Sequence, residues 1–113
     1  HPILANLESK LVFDEVADGK RFLENLLQEQ IGLFAYPNGK PDQDYRMSDV
    51  EIIRKMGFDA AVTTAWGVAD GTTDLMQIPR FTPWDRNRFQ FCARLFGLHL
   101  RNVAHRPIQN ASR

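Results

Sequence analysis

Two short apolar runs on either side of a helix-like segment constrain the fold of this chain more than any other feature. Ile31–Tyr36 and Asp59–Thr64 have the length and composition of buried strands. Between them, Val50, Ile53 and their apolar neighbours recur at helical spacing. A strand, a helix and a second strand in succession predict two parallel strands joined by a right-handed crossover.

The segments outside this unit predict two further helices and one further strand. Apolar residues at helical spacing predict a first helix over Glu8–Gln28, and Leu75–Phe81 has the composition of a third strand. Pro79 limits the pairing of that strand because proline has no backbone N–H. Asp85 is a candidate cap for a last helix, and Cys92 on its apolar side is expected to be buried.

The central helix has recognisable start and stop signals. Ser48 is a candidate N-cap, and Glu51 lies at the capping-box position three residues later. Gly57 follows the last apolar residue of the periodic segment and predicts a C-terminal cap.

Composition limits the size of the domain and its classes of partner. The chain has 113 residues, enough for one small domain, and its 14 basic residues balance its 14 acidic residues. We therefore expect no nucleic-acid partner, because no excess positive charge would attract one. The single cysteine excludes an internal disulfide. No apolar run approaches the roughly 20 residues of a membrane span, so none is expected.

The number of predicted strands is too small for a closed parallel sheet. Three strands with helices on one side would leave one sheet face uncovered, which parallel sheets rarely tolerate. The chain also begins at His1 rather than at a methionine, which suggests a piece of something longer. Both observations fit a chain that forms only part of a (β/α) barrel.

Four short motifs, in the same order along the chain, resemble the polysaccharide deacetylases, the NodB-homology carbohydrate esterases. They are "HPIL", "FAYPNGK", "GFDAAVTTAWG" and "IPRF". The resemblance implies an α/β fold, the C-terminal part of a distorted (β/α) barrel with mostly parallel strands and crossover helices. The barrel part would occupy residues 1–103, and residues 104–113 would form a C-terminal tail.

The resemblance also implies a reaction and a cofactor. Members of this family hold a divalent metal, zinc or cobalt, with an Asp and two His, and remove acetyl groups from an N-acetylated polysaccharide or oligosaccharide. His1 matches the second metal histidine of the family. The cation lowers the pKa of a bound water and polarises the carbonyl that this water attacks.

The turn after the first strand matches the part of the family site that stabilises the oxyanion. Pro37 fixes the chain, Asn38 would supply a backbone N–H, and Gly39 would let the backbone turn close to the substrate. Tyr36 and Trp66 are candidate substrate contacts, although core or wall aromatics are the commoner interpretation. Arg80 is a third candidate for substrate binding, and an ion pair at a strand end is an equally good explanation.

The chain departs from the family pattern in several places. Ala35 stands where the family has an Arg that orients the base, and the late Leu-x-x-His motif is not evident. The family's Asp-Asp motif and first metal histidine would lie upstream of His1, so we expect this chain alone to be inactive. Its expected partners are the missing N-terminal half of the barrel or a second copy.

Two other functions remain open at this stage. One is a non-catalytic carbohydrate-binding or structural module of the same fold. The other is a small flavodoxin-like binding domain, which shares the order of strands and helices. That domain would need a glycine-rich phosphate turn after a strand, and "YPNGKPDQD" is too rich in proline to be a good one.

Overall fold

The computed structural model describes residues 2–81 and 85–104. The chain is mixed α/β, with three α-helices, two strands and two short 3-10 helices in this part. His1 and residues 105–113 of the predicted tail 104–113 lie outside the described residues, and Ala104 ends the last helix. The elements are a 3-10 helix (Leu4–Asn6), α1 (Ser9–Leu27), β1 (Leu33–Ala35), α2 (Met47–Lys55), β2 (Ala60–Val62), a second 3-10 helix (Leu75–Gln77) and α3 (Arg88–Ala104).

The central strand–helix–strand unit confirms the prediction from the sequence. β1 and β2 pair in parallel with Phe34 opposite Ala61, and α2 lies between them in the chain. The ladder continues past β1, because Tyr36 N–H donates to the carbonyl of Val62 over 3.2 Å. The ends of the two strands therefore meet at one edge of the sheet.

The predicted third strand, Leu75–Phe81, is wrong in its first half. Leu75–Gln77 forms a 3-10 helix, because the Asp74 side chain accepts a hydrogen bond from Met76 N–H and favours a helical turn. Only Ile78 pairs with β2, through one parallel bridge to Val62. In the described part of the chain, the sheet is two-stranded with this one extra bridge, so it does not close into a barrel.

The helix α2 begins earlier than the capping-box pattern predicted. Ser48 and Glu51 do not form the cap: Arg46 is the N-cap residue, and its N–H donates to Asp49 Oδ2 over 2.8 Å. Asp49 thus has the capping-box role that was predicted for Glu51, and the N-cap lies two residues earlier in the sequence than predicted. Gly57 is confirmed as the C-terminal signal, since it follows the helix with φ +80° and donates to Arg54 O.

The core lies between α1, α2 and one face of the sheet. Two valines of α1 are buried there, but apolar residues nearer its end are exposed, among them Leu26 at 66%. α3 contributes little, and Cys92, which was expected to be buried, is exposed. Each helix in the described part of the chain is too short or too polar to span a bilayer. The buried core comprises Leu4, Val12, Val16, Tyr36, Tyr45, Val50, Ile53, Phe58, Ala61 and Met76.

Among residues 2–81 and 85–104, no strand pairs with the outer edge of β1, which is called the open edge below. β1 is the terminal strand of the sheet, and Leu33 on it is 73% exposed. An apolar groove of about 340 Å³ runs between this strand and α1, and its lining includes Val16, Leu23 and Pro37. The groove and the open edge lie together on one side of the molecule.

Candidate functional site

A tight turn follows β1 and carries the residues that the sequence singled out. Gly39 N–H donates to Pro37 O over 2.7 Å, which closes a three-residue turn around Asn38. Asn38 has φ +57° and Gly39 has φ +74°. Asparagine and glycine tolerate this left-handed region better than other residues, so the local sequence suits the turn.

Gly39 has no room for a side chain. It is buried, and a Cβ at this position would lie 3.0 Å from Thr64 N and 3.0 Å from Tyr36 O. Both of these atoms belong to the backbone, which cannot move aside as a flexible side chain can. The positive φ and the close approach together require glycine here.

Thr64, just after β2, holds the turn from the neighbouring strand. Its N–H donates to Gly39 O over 2.8 Å, and its Oγ1 donates to Asn38 O over 2.7 Å. Thr64 is not among the site residues predicted from the sequence. The signal was available, because the carboxyl ends of adjacent parallel strands meet at one edge of a sheet and Thr64 ends the second apolar run.

The turn leaves one backbone donor available. Asn38 is exposed, and its N–H donates to no acceptor within residues 2–81 and 85–104. Its carbonyl and that of Gly39 are both occupied by Thr64, so the turn as a whole is fixed. An N–H that is held in a fixed turn and has no acceptor can bind a carbonyl oxygen or an oxyanion with little reorganisation.

Tyr36 lies behind the turn rather than on its surface. It is 2% exposed, and its hydroxyl donates to Met76 O over 3.0 Å. Its ring stacks on Tyr45 with the centroids 4.0 Å apart. Burial raises the pKa of the Tyr36 hydroxyl, which therefore stays protonated and serves as a donor. The structure thus puts Tyr36 among the core aromatics, where a substrate does not reach it.

Trp66 is half-exposed on the loop that follows β2. The residue is 50% exposed, and its ring meets Phe81 edge to face with the centroids 6.1 Å apart. The ring centroid lies 5.8 Å from the guanidinium carbon of Arg94. Arg80 is exposed, and its N–H donates to Ala65 O over 3.0 Å. That backbone bond brings the segment of Arg80 beside the loop of Trp66, so two of the three candidate substrate contacts lie on adjacent segments.

Asp74, a carboxylate between Trp66 and Arg80 in the sequence, has a structural explanation. Asp74 caps the 3-10 helix, and its two oxygens lie 3.2 and 3.1 Å from Arg54 Nη2. The hydrogen bond from Met76 N–H, assisted by Gln77 and Arg54, holds the pKa of Asp74 below its ordinary value. A carboxylate with a lowered pKa and three partners is a poor general base.

The described residues do not form a metal centre. Within residues 2–81 and 85–104 there is no group of three His, Cys, Asp or Glu side chains that could hold a metal ion. His1, the one ligand that the resemblance implies for this chain, lies outside the described residues. A divalent cation would need ligands beyond those that the structure describes, since sites of this type use three protein ligands.

Comparison with known proteins adds no assignment. No family model matches the chain, and no curated protein matches it. The interpretation of the site therefore depends on the residues of the turn and on the order of the motifs.

Proposed function

We propose that this chain is part of a metal-dependent hydrolase that removes acetyl groups from an N-acetylated polysaccharide, and that it supplies the oxyanion donor. One observation carries the proposal: a fixed turn at the end of a parallel strand presents the N–H of Asn38 without an acceptor among the described residues. In barrel enzymes, functional groups lie at the carboxyl ends of the strands. The four motifs that resemble the deacetylases support the same function.

The part of this chain in the reaction follows from the charge that develops on the substrate. Attack on an acetamide carbonyl converts its oxygen into an oxyanion, and a donor already aimed at that oxygen lowers the barrier. The N–H of Asn38 is suited to this because Thr64 holds the turn on both of its carbonyls. One such donor contributes about 10²- to 10³-fold in kcat.

The cation implied by the resemblance would be held mainly by other residues. Zinc or cobalt would supply an activated water in such an enzyme. The described residues do not make up a ligand set, so the ligands would be His1 and side chains elsewhere in the complete protein. The work assigned to this chain is to orient the substrate carbonyl and to stabilise its negative charge.

Trp66 and Arg80 are the substrate contacts that we propose for this chain. The half-exposed ring of Trp66 offers an apolar face to a sugar ring, and Arg80 offers donors to sugar oxygens. Tyr36 is not included, because its ring is buried beneath the turn. Tyr36 instead packs in the core beneath the end of β1 and supports the turn there.

The remainder of a distorted barrel would complete the sheet. Hydrogen-bonding groups alternate along a strand, and those of Tyr36 and Gly32 point towards β2. The groups of Leu33 and Ala35 therefore point away from β2, and an extended strand satisfies such an edge better than a helix does. We propose that a further strand of the same protein pairs there, with a second copy of this chain as the competing occupant.

The decisive experiment removes the single N–H of Asn38. An ester in place of the Pro37–Asn38 amide in the complete protein deletes this donor, and it also weakens Pro37 O as the acceptor of the Gly39 N–H. We expect kcat for acetate release from an N-acetylated oligosaccharide to fall by about 10²-fold or more. Asn38→Gly is the matched control, because it keeps the N–H, permits φ +57° and should remain active.

The isolated chain provides a second test. These 113 residues alone should release no acetate, with or without added zinc or cobalt, because the described residues lack a metal ligand set. Metal-dependent turnover by the isolated chain would mean that the metal ligands and catalytic residues lie within these 113 residues. A complete protein that binds the oligosaccharide but releases no acetate would favour the non-catalytic carbohydrate-binding function instead.

A further inference from the structure

The three consecutive carbonyl groups of the turn each accept one hydrogen bond. Pro37 O accepts from Gly39 N–H, Asn38 O accepts from Thr64 Oγ1, and Gly39 O accepts from Thr64 N–H. Two of the three bonds come from a single residue on the other strand. The side-chain bond, at 2.7 Å, is the only one of the three that a substitution of Thr64 can delete.

The Thr64 hydroxyl opposes rotation of the peptide between Asn38 and Gly39, because rotation would break its hydrogen bond to Asn38 O. If this peptide group rotated, Gly39 N–H would turn away from Pro37 O and the closing bond of the turn would break. The peptide group that carries Asn38 N–H would then lose its fixed direction. The orientation of the Asn38 N–H therefore depends on the Thr64 hydroxyl, which lies beside the turn and is not part of it.

We propose that Thr64 is a positioning residue for the oxyanion donor, acting through the turn rather than on the substrate. The inference rests on the proposed function, because it assigns the orientation of the amide used in that reaction. An amide that loses its direction stabilises the transition state less but leaves the binding of the sugar chain unaffected. The effect should consequently fall on kcat and leave KM nearly unchanged.

Exposure argues against a purely structural part for this side chain. Thr64 is exposed, so exchanging its hydroxyl for a methyl group opens no cavity in the core. Its neighbour Thr63 differs, since it is 1% exposed and its hydroxyl accepts from Ala65 N–H. Of the two adjacent threonines, only Thr64 contacts the turn through its side chain.

The test compares three variants of the complete protein. Thr64→Val removes the hydroxyl at constant shape, and Thr64→Ser keeps an oxygen at the same place. Thr72→Val is the matched control, because Thr72 is also exposed and its hydroxyl also donates over 2.7 Å, to Asp70 Oδ1. We expect Thr64→Val to lower kcat about tenfold at unchanged KM, Thr64→Ser to restore it, and Thr72→Val to match the wild type.

Amide hydrogen exchange at Gly39 gives a readout that is independent of turnover. We expect exchange of this N–H to be faster in Thr64→Val than in the wild type and in Thr64→Ser. Unchanged exchange in Thr64→Val would overturn the proposal whatever the activity. Faster exchange with an unchanged kcat would also overturn it and leave the proposed function intact. A wild type without acetate release would overturn the proposed function, and exchange would then decide only whether Thr64 holds the turn.

Discussion

The rings of Tyr36 and Tyr45 stack with their centroids 4.0 Å apart and their planes 18° apart. Tyr36 belongs to the end of β1, and Tyr45 belongs to the loop that precedes α2. Their hydroxyls reach the same short element, since Tyr36 donates to Met76 O and Tyr45 donates to Gln77 Oε1. The pair thus ties the strand end, the loop and the 3-10 helix Leu75–Gln77 together beneath the turn.

We expect Tyr36→Phe to destabilise the fold more than Tyr45→Phe. The first variant leaves a buried carbonyl, Met76 O, without its donor, at a cost of about 1–3 kcal/mol in the free energy of unfolding. The second leaves Gln77, which is half-buried and can turn to water. Urea unfolding of both variants measures the difference. Equal losses would mean that the hydroxyl of Tyr36 does not satisfy that carbonyl in solution.

The hydrogen bonds and the ion pair of Asp74 should appear in the pH dependence of stability. The pKa of Asp74 is lowered in the folded chain, chiefly by the Met76 N–H and then by Gln77 and Arg54. Its stabilising contribution is therefore complete above the ordinary Asp pKa of about 4 and is lost as the pH falls through the folded value.

The matched variant for this prediction is Asp74→Asn, which cannot titrate. The difference in unfolding free energy between wild type and variant should be constant from pH 7 down to about 4.5 and should shrink below that. Denaturant melts at a series of pH values would show this directly. A difference that grows as the pH falls would contradict the lowered pKa.

We expect Gly39→Ala to lose activity in the complete protein. The new Cβ would lie 3.0 Å from two backbone atoms and the residue would keep φ +74°, so the turn must shift and carry the Asn38 N–H with it. The expected loss in kcat is on the order of 10²-fold, as for one oxyanion donor.

Gly19→Ala provides the control for this loss. Gly19 lies inside α1, and a Cβ added there would meet nothing within 4 Å. Alanine should therefore raise stability by roughly 0.5–1 kcal/mol and leave turnover unchanged. Acetate release and thermal unfolding measure both variants. Wild-type turnover by Gly39→Ala would show that the turn is not part of the catalytic site.

The isolated chain should self-associate through the open edge of β1. Leu33 is 73% exposed there beside the apolar groove, and an uncovered strand edge is a template for pairing. Sedimentation velocity should detect oligomers, and Leu33→Lys should reduce them. Leu75→Lys is the control, since Leu75 is 60% exposed on the segment beside the other edge of the sheet. A sharply folded monomer that binds no apolar dye would contradict this prediction.

The sequence predicts the β1–α2–β2 unit because its signals are local: two apolar runs, a helical period and a glycine stop. It fails at Leu75–Gln77, where one hydrogen bond from Met76 N–H to the Asp74 side chain outweighs the strand-like composition. The cap of α2 was also predicted at the wrong residue. Asp49 and Glu51 are both acidic and suitably spaced, so the sequence does not show which of them accepts the hydrogen bond from the N-cap residue.

The turn at the candidate site was predictable from the sequence, and the contacts that support it were not. The Pro-Asn-Gly pattern indicates the turn, since few residues suit positive φ. The burial of Tyr36 could not be derived, because an apolar run does not say which strand face meets the helices. Thr64 ends the second apolar run, so its place at the shared edge of the sheet was predictable. Its hydrogen bonds to the turn were not predictable, because they cross from one strand end to the next and residue spacing does not show them.

The bond between Thr64 and the turn links ligand binding to the folding of a whole unit. Thr64 can reach Asn38 and Gly39 only when α2 has returned the chain to β1, so the bonds that fix the Asn38 N–H form only in the assembled strand–helix–strand unit. A ligand that binds this N–H must then stabilise α2 as well as the turn, by mass action. Protection of α2 amides, far from the bound group, would rise with ligand concentration.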